Sequence, residues 1–204
     1  MIIAVDGPAA AGKGTIARAL AREFGFHFLD TGSLYRMVAL SVLREGADPA
    51  DSAAAVKAAK TLDPKGFRDA ELRGEVVGGA ASIVAVIPEV RAALLELQRA
   101  FARQEPGAVL DGRDIGTVVC PDAEVKLFIT ASPEVRAARR HRELGGKESY
   151  EAVLADIRAR DERDSMRATA PLVPAADAVV VDTSDMDIAG AVAACVAIIA
   201  RKTA

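Results

Sequence analysis

The chain has 204 residues, of which 51% are hydrophobic, so it is long enough to bury one sizeable core. Its net charge of −3 and its 4% of aromatic residues argue against binding to a nucleic-acid polymer, which needs basic patches or stacking platforms. We find neither a bilayer-spanning apolar run nor a signal peptide, and Cys120 and Cys195 have no metal-ligand spacing. We therefore expect a cytoplasmic protein with reduced cysteines and no membrane partner. We also expect a monomer.

The chain alternates short apolar runs with segments in which apolar residues recur at helical spacing. In chain order, strands are predicted over residues 1–5, 26–30, 108–111, 125–130 and 178–182. Helices are predicted over residues 16–24, 34–45, 50–60, 89–104, 133–144, 149–165 and 187–201, and a helical period also begins at residue 80. We expect residues 31–33 to cap the helix that follows them, whereas residues 61–79 give no regular pattern. This alternation predicts a parallel sheet covered on both faces, with ligands at the carboxyl ends of its strands.

The junction between the first strand and the first helix is the most informative stretch. It reads Gly7-Pro8-Ala9-Ala10-Ala11-Gly12-Lys13-Gly14-Thr15. Such a loop wraps phosphates with its backbone N–H groups and adds the positive end of the helix and a lysine charge. A plain glycine-rich turn is the alternative, but the order of strand, loop, lysine and helix favours a nucleoside triphosphate site.

Three details of this loop are open to test. Gly14 occupies the slot after the lysine that usually holds Ser or Thr, and the hydroxyl comes one place later, on Thr15. Ala10 stands where such loops often have glycine, so we expect it to be tolerated provided that its φ is negative. We expect Lys13 to be an exposed loop side chain that contributes little to folding.

Charged residues gather after two strands and on one late helix. Residues 30–36 and 111–117 follow the second and third strands, and Arg160, Asp164 and Arg167 have the spacing of one helical face. The plain alternatives are a solvated Arg36 and an exposed Arg160–Asp164 helix pair. Residues 111–114 are harder to explain in that way, because ligands bind at this edge of such sheets.

Together, these motifs resemble the bacterial cytidylate kinases, a family of nucleoside monophosphate kinases. The resemblance rests on the loop and on three further stretches, which are Leu29-Asp30-Thr31-Gly32 with Tyr35-Arg36, residues 111–119, and residues 160–172. It implies an α/β fold of the P-loop NTPase type, with a parallel sheet flanked by helices. It also implies a single kinase domain over residues 1–204, with an acceptor-side insertion at about 50–95 and a short lid at about 139–160. Only residues 61–79 are available for the family's small sheet, so we expect a reduced acceptor-side insertion.

The resemblance further implies an ATP-binding transferase of pyrimidine nucleotide metabolism. It would move the γ-phosphate of ATP to CMP or dCMP, giving CDP or dCDP, with Mg²⁺ held by the ATP phosphates and water and contacted by Thr15. ATP would be bound by residues 7–15 and by Arg139 and Arg140 of the lid.

The same resemblance assigns the acceptor residues. Three residues would face the cytosine (Ser82, Arg91 and Asp114), and two would hold the ribose (Arg160 and Asp164). Three arginines would clamp the acceptor phosphate and, with Lys13, act in catalysis (Arg36, Arg113 and Arg167). Thr31 and Tyr35 would lie near that phosphate.

Two other functions are compatible with a phosphate-binding loop. One is a nucleotide-hydrolysing switch, although we find no guanine-specific motif on a late strand. The other is a kinase for a different small acceptor. An assay of ATP consumption with a panel of acceptors distinguishes these functions.

Overall fold

A computed structural model describes residues 1–203, except for the side chain of Glu75. Its strands are β1 (Ile2–Asp6), β2 (His27–Asp30), β3 (Ala108–Gly112), β4 (Val125–Thr130) and β5 (Val179–Asp182). Its first helices are α1 (Lys13–Phe24), α2 (Thr31–Arg44), α3 (Ser52–Lys60), α4 (Asp69–Leu72), α5 (Glu75–Val84) and α6 (Pro88–Ala102). The later helices are α7 (Pro133–Glu143), α8 (Tyr150–Ser165) and α9 (Ile188–Thr203), and a π-helical turn covers Ile115–Val119.

The five strands form one sheet in the order β2-β3-β1-β4-β5. β1 is parallel to both β3 and β4, and β4 is parallel to β5. The apolar runs of β1, β3 and β4 are almost wholly buried, as expected for parallel strands with helices on both faces. The predicted α/β class with a parallel sheet is confirmed.

The chain forms two compact units, residues 1–29 with 102–204 and residues 30–101. In the first, side chains of the sheet, α1 and α9 share a core that includes Ile3, Leu20, Leu127 and Ile199. In the second, α2 packs against α3, α4 and α5. The proposed lid and insertion boundaries within one kinase domain stay a prediction.

Two predicted helix starts are wrong by three residues. α1 begins at Lys13, directly after Gly12, which has the left-handed φ of 88°. α2 begins at Thr31, so residues 31–33 form its first turn and do not cap it. The cap is Asp30, whose carboxylate accepts a hydrogen bond from the Ser33 N–H at 3.2 Å.

The glycine-containing segment 61–79 has more structure than its sequence pattern indicates. It contains a 3₁₀ turn over Pro64–Gly66, the short helix α4 and the beginning of α5. In the backbone described for this segment no strand occurs, in agreement with the prediction of a reduced insertion. Within the described part of the chain, no helix is both long enough and apolar enough to cross a membrane.

Candidate active site

The loop over residues 7–15 joins the buried strand β1 to the N-terminus of α1. Gly7 has a φ of 146°, and a Cβ there would lie 1.9 Å from the Ile129 carbonyl oxygen, so no larger residue fits. The first turn of α1 carries no acidic residue. Its N-terminal N–H groups and the helix dipole therefore suit a bound anion.

Lys13 is buried, which corrects the expectation of an exposed side chain. Its Nζ donates a hydrogen bond to the Pro8 carbonyl at 2.8 Å and lies 4.0 Å from Asp111 Oδ1, and the residue is only 5% exposed. A Cβ on Gly14 would come within 3.2 Å of Asp111 Oδ2. A larger residue after the lysine would therefore require the Asp111 carboxylate in β3 to shift by a few tenths of an ångström.

Ala10 also differs from expectation, because its φ is 58° and not negative. An L-residue in this left-handed region costs about 1–2 kcal/mol, since its Cβ crowds the following carbonyl. The loop therefore holds Ala10 in a conformation that a glycine would adopt without strain.

A cavity of about 800 Å³ lies beside the loop in the first compact unit. Residues 10–12 and 15 of the loop and Ile16 of α1 line one side of it, and the other lining residues come from α7 and from residues 183–191. Thr15 is exposed, so its hydroxyl is accessible for a Mg²⁺ ion that accompanies the nucleotide phosphates. The size and position of the cavity suit a nucleotide whose phosphates lie on the loop.

The two arginines predicted for ATP lie differently on α7. Arg139 lines the cavity and donates hydrogen bonds to the Thr183 carbonyl at 2.6 Å and the Thr183 hydroxyl at 3.1 Å. Arg140 pairs with Glu143 at 3.1 Å, and its role in ATP binding stays a prediction. Arg142, which was not predicted from the sequence, lies one helical turn after Arg139 and also lines the cavity.

The loop after β5 (residues 183–187) and the beginning of α9 also line this cavity, although the sequence did not point to them. A signal was available, because the carboxyl ends of parallel strands carry the ligand sites of such sheets and β5 is one of them.

The residue 30–101 unit contains five of the predicted acceptor residues. Arg91 on α6 is buried, donates to the Ala85 carbonyl at 3.4 Å, and has its guanidinium carbon 5.8 Å from the centre of the Tyr35 ring. Arg36 donates to the Leu72 carbonyl at 2.8 Å and is half-buried, so it is not simply solvated. Thr31 is buried at the start of α2, and Ser82 is half-buried on α5.

The other predicted acceptor residues lie in the first unit, and three arginines among them (Arg113, Arg160 and Arg167) lie around Asp164. Arg113 Nε donates to Asp164 Oδ2 at 2.8 Å, and Asp164 is 6% exposed. Arg160 donates to Asp156 at 3.4 Å. The alternative of an exposed Arg160–Asp164 pair is therefore wrong, because the direct partner of the buried carboxylate is Arg113.

Arg167 lies beyond the end of α8 at Ser165, so helical spacing does not explain its position. The chain turns there, and Arg167 Nε donates to the Asp164 backbone carbonyl at 3.3 Å. Burial by itself would raise the pKa of Asp164, but Arg113, and then Arg167, outweigh that effect and hold it below its ordinary value. Asp164 is thus an ionised carboxylate among arginines.

A second buried carboxylate, Asp6 at the end of β1, was not singled out from the sequence. Its two oxygens accept the N–H groups of Ile115 and Gly116, each at 2.8 Å, and so hold the π-helical turn that follows Asp114. Burial, with a smaller effect of the nearby Asp114 charge, raises the pKa of Asp6 to about 6. Asp114 itself is buried, and its role towards a base stays a prediction.

A parallel sheet with a glycine-rich phosphate loop between β1 and α1, followed by a buried lysine and a cavity, defines a P-loop nucleotide-binding protein. Solved structures agree with this class of fold. An uncharacterized protein from Eubacterium ventriosum matches with a TM-score of 0.61 at 14% identity, over 98% of each chain. A gluconokinase from Sinorhizobium meliloti matches with a TM-score of 0.51 at 18% identity, over 98% of this chain and 91% of that one.

The family follows from sequence. A family model described as cytidylate kinase matches residues 3–201. A cytidylate kinase from Xanthobacter autotrophicus is 60% identical over 100% of this chain and 99% of its own length. One from Rhodospirillum rubrum is 59% identical over 100% of this chain and 99% of its own length. One from Rhodopseudomonas palustris is 57% identical over 98% of this chain and 95% of its own length. The chain belongs to the cytidylate kinase family, as its motifs predicted.

Proposed function

We propose that this protein transfers the γ-phosphate of ATP to CMP or dCMP and releases ADP with CDP or dCDP. The observation that carries the proposal is the family match over residues 3–201, which includes both the phosphate loop and the arginine-rich stretches. The name of the relatives indicates the acceptor, and the loop with its cavity supports a nucleoside triphosphate as donor.

On the donor side, residues 7–15 bind the ATP phosphates, with Arg139 and Arg140 contributing from α7. Lys13 supplies a positive charge beside the migrating phosphoryl group, where charge neutralisation lowers the barrier. Thr15 would hold Mg²⁺ together with the ATP phosphates and water, and the ion would supply further neutralisation of the phosphate charge. The accessible Thr15 hydroxyl fits this assignment.

On the acceptor side, Ser82, Arg91 and Asp114 recognise the cytosine, and Arg160 with Asp164 holds the ribose. The ionised state of Asp164 supports its role, because a carboxylate accepts hydrogen bonds from sugar hydroxyls.

Arg36, Arg113 and Arg167 clamp the acceptor phosphate, with Thr31 and Tyr35 nearby. Guanidinium groups suit this task, since each can bind two phosphate oxygens at once and orient them. The attacking phosphate oxygen is already ionised at neutral pH, so these residues position and neutralise, and no side chain is required as a general base.

The test is an assay of ADP formation with CMP, dCMP, UMP, AMP and GMP as acceptors. We expect CMP to stimulate ATP consumption strongly and the purine monophosphates to have little effect, because the relatives of this chain are named for a pyrimidine acceptor. ATP hydrolysis that no acceptor stimulates would instead indicate a nucleotide-dependent switch. A purine monophosphate that reacts as fast as CMP would contradict the assignment of the base-reading residues.

We further propose that the enzyme acts as a monomer in the cytoplasm, where pyrimidine nucleotide metabolism supplies CMP and ATP. Light scattering after gel filtration tests the oligomeric state against the chain mass of 21.2 kDa. A mass of twice this value would refute the monomer.

A further inference from the structure

Arg136 on α7 is a buried arginine beside the phosphate loop, and its guanidinium makes four hydrogen bonds within the protein. The residue is 3% exposed. Its Nη1 donates to the Ala9 carbonyl at 3.2 Å and to Asp161 Oδ1 at 2.9 Å, and its Nη2 donates to Asp161 Oδ2 at 2.6 Å. Its Nε donates to the Ala131 carbonyl at 2.8 Å. One guanidinium therefore joins the loop, the end of β4 and α8.

The contact with Ala9 fixes the peptide that precedes the strained residue of the loop. In a planar trans peptide, the carbonyl of Ala9 and the N–H of Ala10 point in opposite directions. A bond that draws the carbonyl towards Arg136 therefore turns the Ala10 N–H away from it. The same bond helps to hold the φ of 58° at Ala10, which is unfavourable for an L-residue.

A second carbonyl of the loop is held in a similar way, because Lys13 Nζ donates a hydrogen bond to the Pro8 carbonyl at 2.8 Å. Carbonyl oxygens repel a phosphate, whereas N–H groups bind it. Side chains that hydrogen-bond the loop carbonyls therefore keep these oxygens away from the anion site and preorganise the loop for anion binding.

We propose that Arg136 is a positioning residue for ATP, acting through the Ala9–Ala10 peptide and itself held in place by Asp161. This inference rests on the proposed function only in that the loop binds ATP. Asp161 lies one turn before Asp164 on α8, so the anchor of Arg136 is on the helix that also carries the Arg113 partner.

The first test is Arg136→Lys, which keeps the positive charge. A lysine ammonium lacks the planar guanidinium geometry that lets Arg136 bind the Ala9 carbonyl and both Asp161 carboxylate oxygens at once. We expect the Kd of a non-hydrolysable ATP analogue, measured by calorimetry, and the KM for ATP to rise by roughly tenfold, the effect of one lost charge-assisted hydrogen bond. The KM for CMP should change by less than about twofold. Equal changes in both KM values would overturn the proposal, because a general loss of packing has no preference for ATP.

The second test places the same change in an Ala10→Gly background. Glycine adopts a positive φ without strain, so the loop then depends less on the bond to Ala9. We expect the loss of ATP affinity caused by Arg136→Lys to shrink to about threefold or less. An undiminished loss in this background would show that Arg136 does not act through the Ala9–Ala10 peptide.

Arg158→Gln is the matched control. Arg158 on α8 pairs with Glu134 on α7 at 2.9 Å, with both side chains more than half exposed, and so joins the same two helices without contacting the loop. Its substitution should leave ATP binding unchanged, and a loss equal to that of Arg136→Lys would refute the proposal. If Arg136→Lys does not fold, Asp161→Asn weakens the anchor and should raise the Kd about threefold, with an unchanged value counting against the inference.

A wild-type protein that fails to phosphorylate CMP but binds the ATP analogue would refute the proposed function alone. A wild-type protein that phosphorylates CMP, with Arg136→Lys retaining normal ATP affinity, would refute the positioning role alone.

Discussion

Replacing Asp164 with asparagine removes the buried carboxylate that Arg113 binds. A hydrogen bond to a charged group contributes about 1.5–3 kcal/mol, and breaking a fully buried ion pair costs about 3–5 kcal/mol. The Arg113 side chain is 26% exposed, so water partly replaces its lost partner. The loss should therefore lie nearer the value for a single charged hydrogen bond than the value for a fully buried ion pair. We expect Asp164→Asn to lower the free energy of unfolding by about 2–3 kcal/mol, which corresponds to a Tm about 4–12 °C lower for a chain of this size.

The kinetic effect should fall on the acceptor. If Asp164 accepts a hydrogen bond from the ribose, a loss of about 1.5–3 kcal/mol lowers kcat/KM for CMP by roughly ten- to hundredfold. The KM for ATP should change by less than about twofold, because ATP is assigned to residues 7–15. Steady-state kinetics with each substrate varied in turn, together with thermal melting, measure both effects.

Glu162→Gln is the control, since Glu162 is an exposed acid on the same helix. It should leave melting and kinetics unchanged. The depressed pKa of Asp164 means that its stabilisation is fully present above the ordinary value of 3.8 and is lost as the pH falls through the lower folded value. The stability difference between wild type and Asp164→Asn should therefore be largest near neutral pH. An unchanged kcat/KM for CMP would refute the ribose assignment even if the protein were destabilised.

Three further outcomes are expected. Lys13→Met should lower turnover by at least about 100-fold, because it removes the positive charge beside the migrating phosphoryl group. It should also lower the Tm, because it leaves the buried Asp111 carboxylate without the nearby lysine charge. Near-normal turnover would contradict the phosphate-loop assignment. Gly7→Ala should lower the free energy of unfolding by more than about 3 kcal/mol, since the new Cβ would collide with the Ile129 carbonyl. Gly25→Ala, at a residue with a positive φ but open space, should lower it by only about 1 kcal/mol. Similar melting temperatures of the two variants would refute the steric argument. A folded pKa of about 6 for Asp6 means that its contribution to stability is present at low pH and is lost as the pH rises through 6. Between pH 4.5 and 7.5, wild type should therefore lose about 2 kcal/mol relative to Asp6→Asn in chemical unfolding, and a constant difference would show an ordinary pKa.

The sequence by itself determined the order of strands and helices, the phosphate loop and the family. These are local signals: β1, β3 and β4 are apolar runs bounded by turn residues, and the loop is one uninterrupted stretch from Gly7 to Thr15. Local patterns suffice for them because each element and each motif is a short continuous stretch of residue types, which can be read without knowing what packs against it. The family follows in the same way, since its motifs are short stretches that can be recognised one by one.

The tertiary structure alone decided burial and pairing within the site. Spacing along one helix suggested Arg160 as the partner of Asp164, whereas the direct partner is Arg113, 51 residues earlier in the chain. The buried Lys13 lies beside Asp111 of β3, almost a hundred residues later in the chain. Ala10 has a positive φ, and the preceding Ala9 carbonyl is bound by Arg136 from α7. Helical periodicity predicts contacts only between residues about three or four positions apart. The partner of a buried charge can lie anywhere in the chain, so a local sequence pattern does not predict which residue it is.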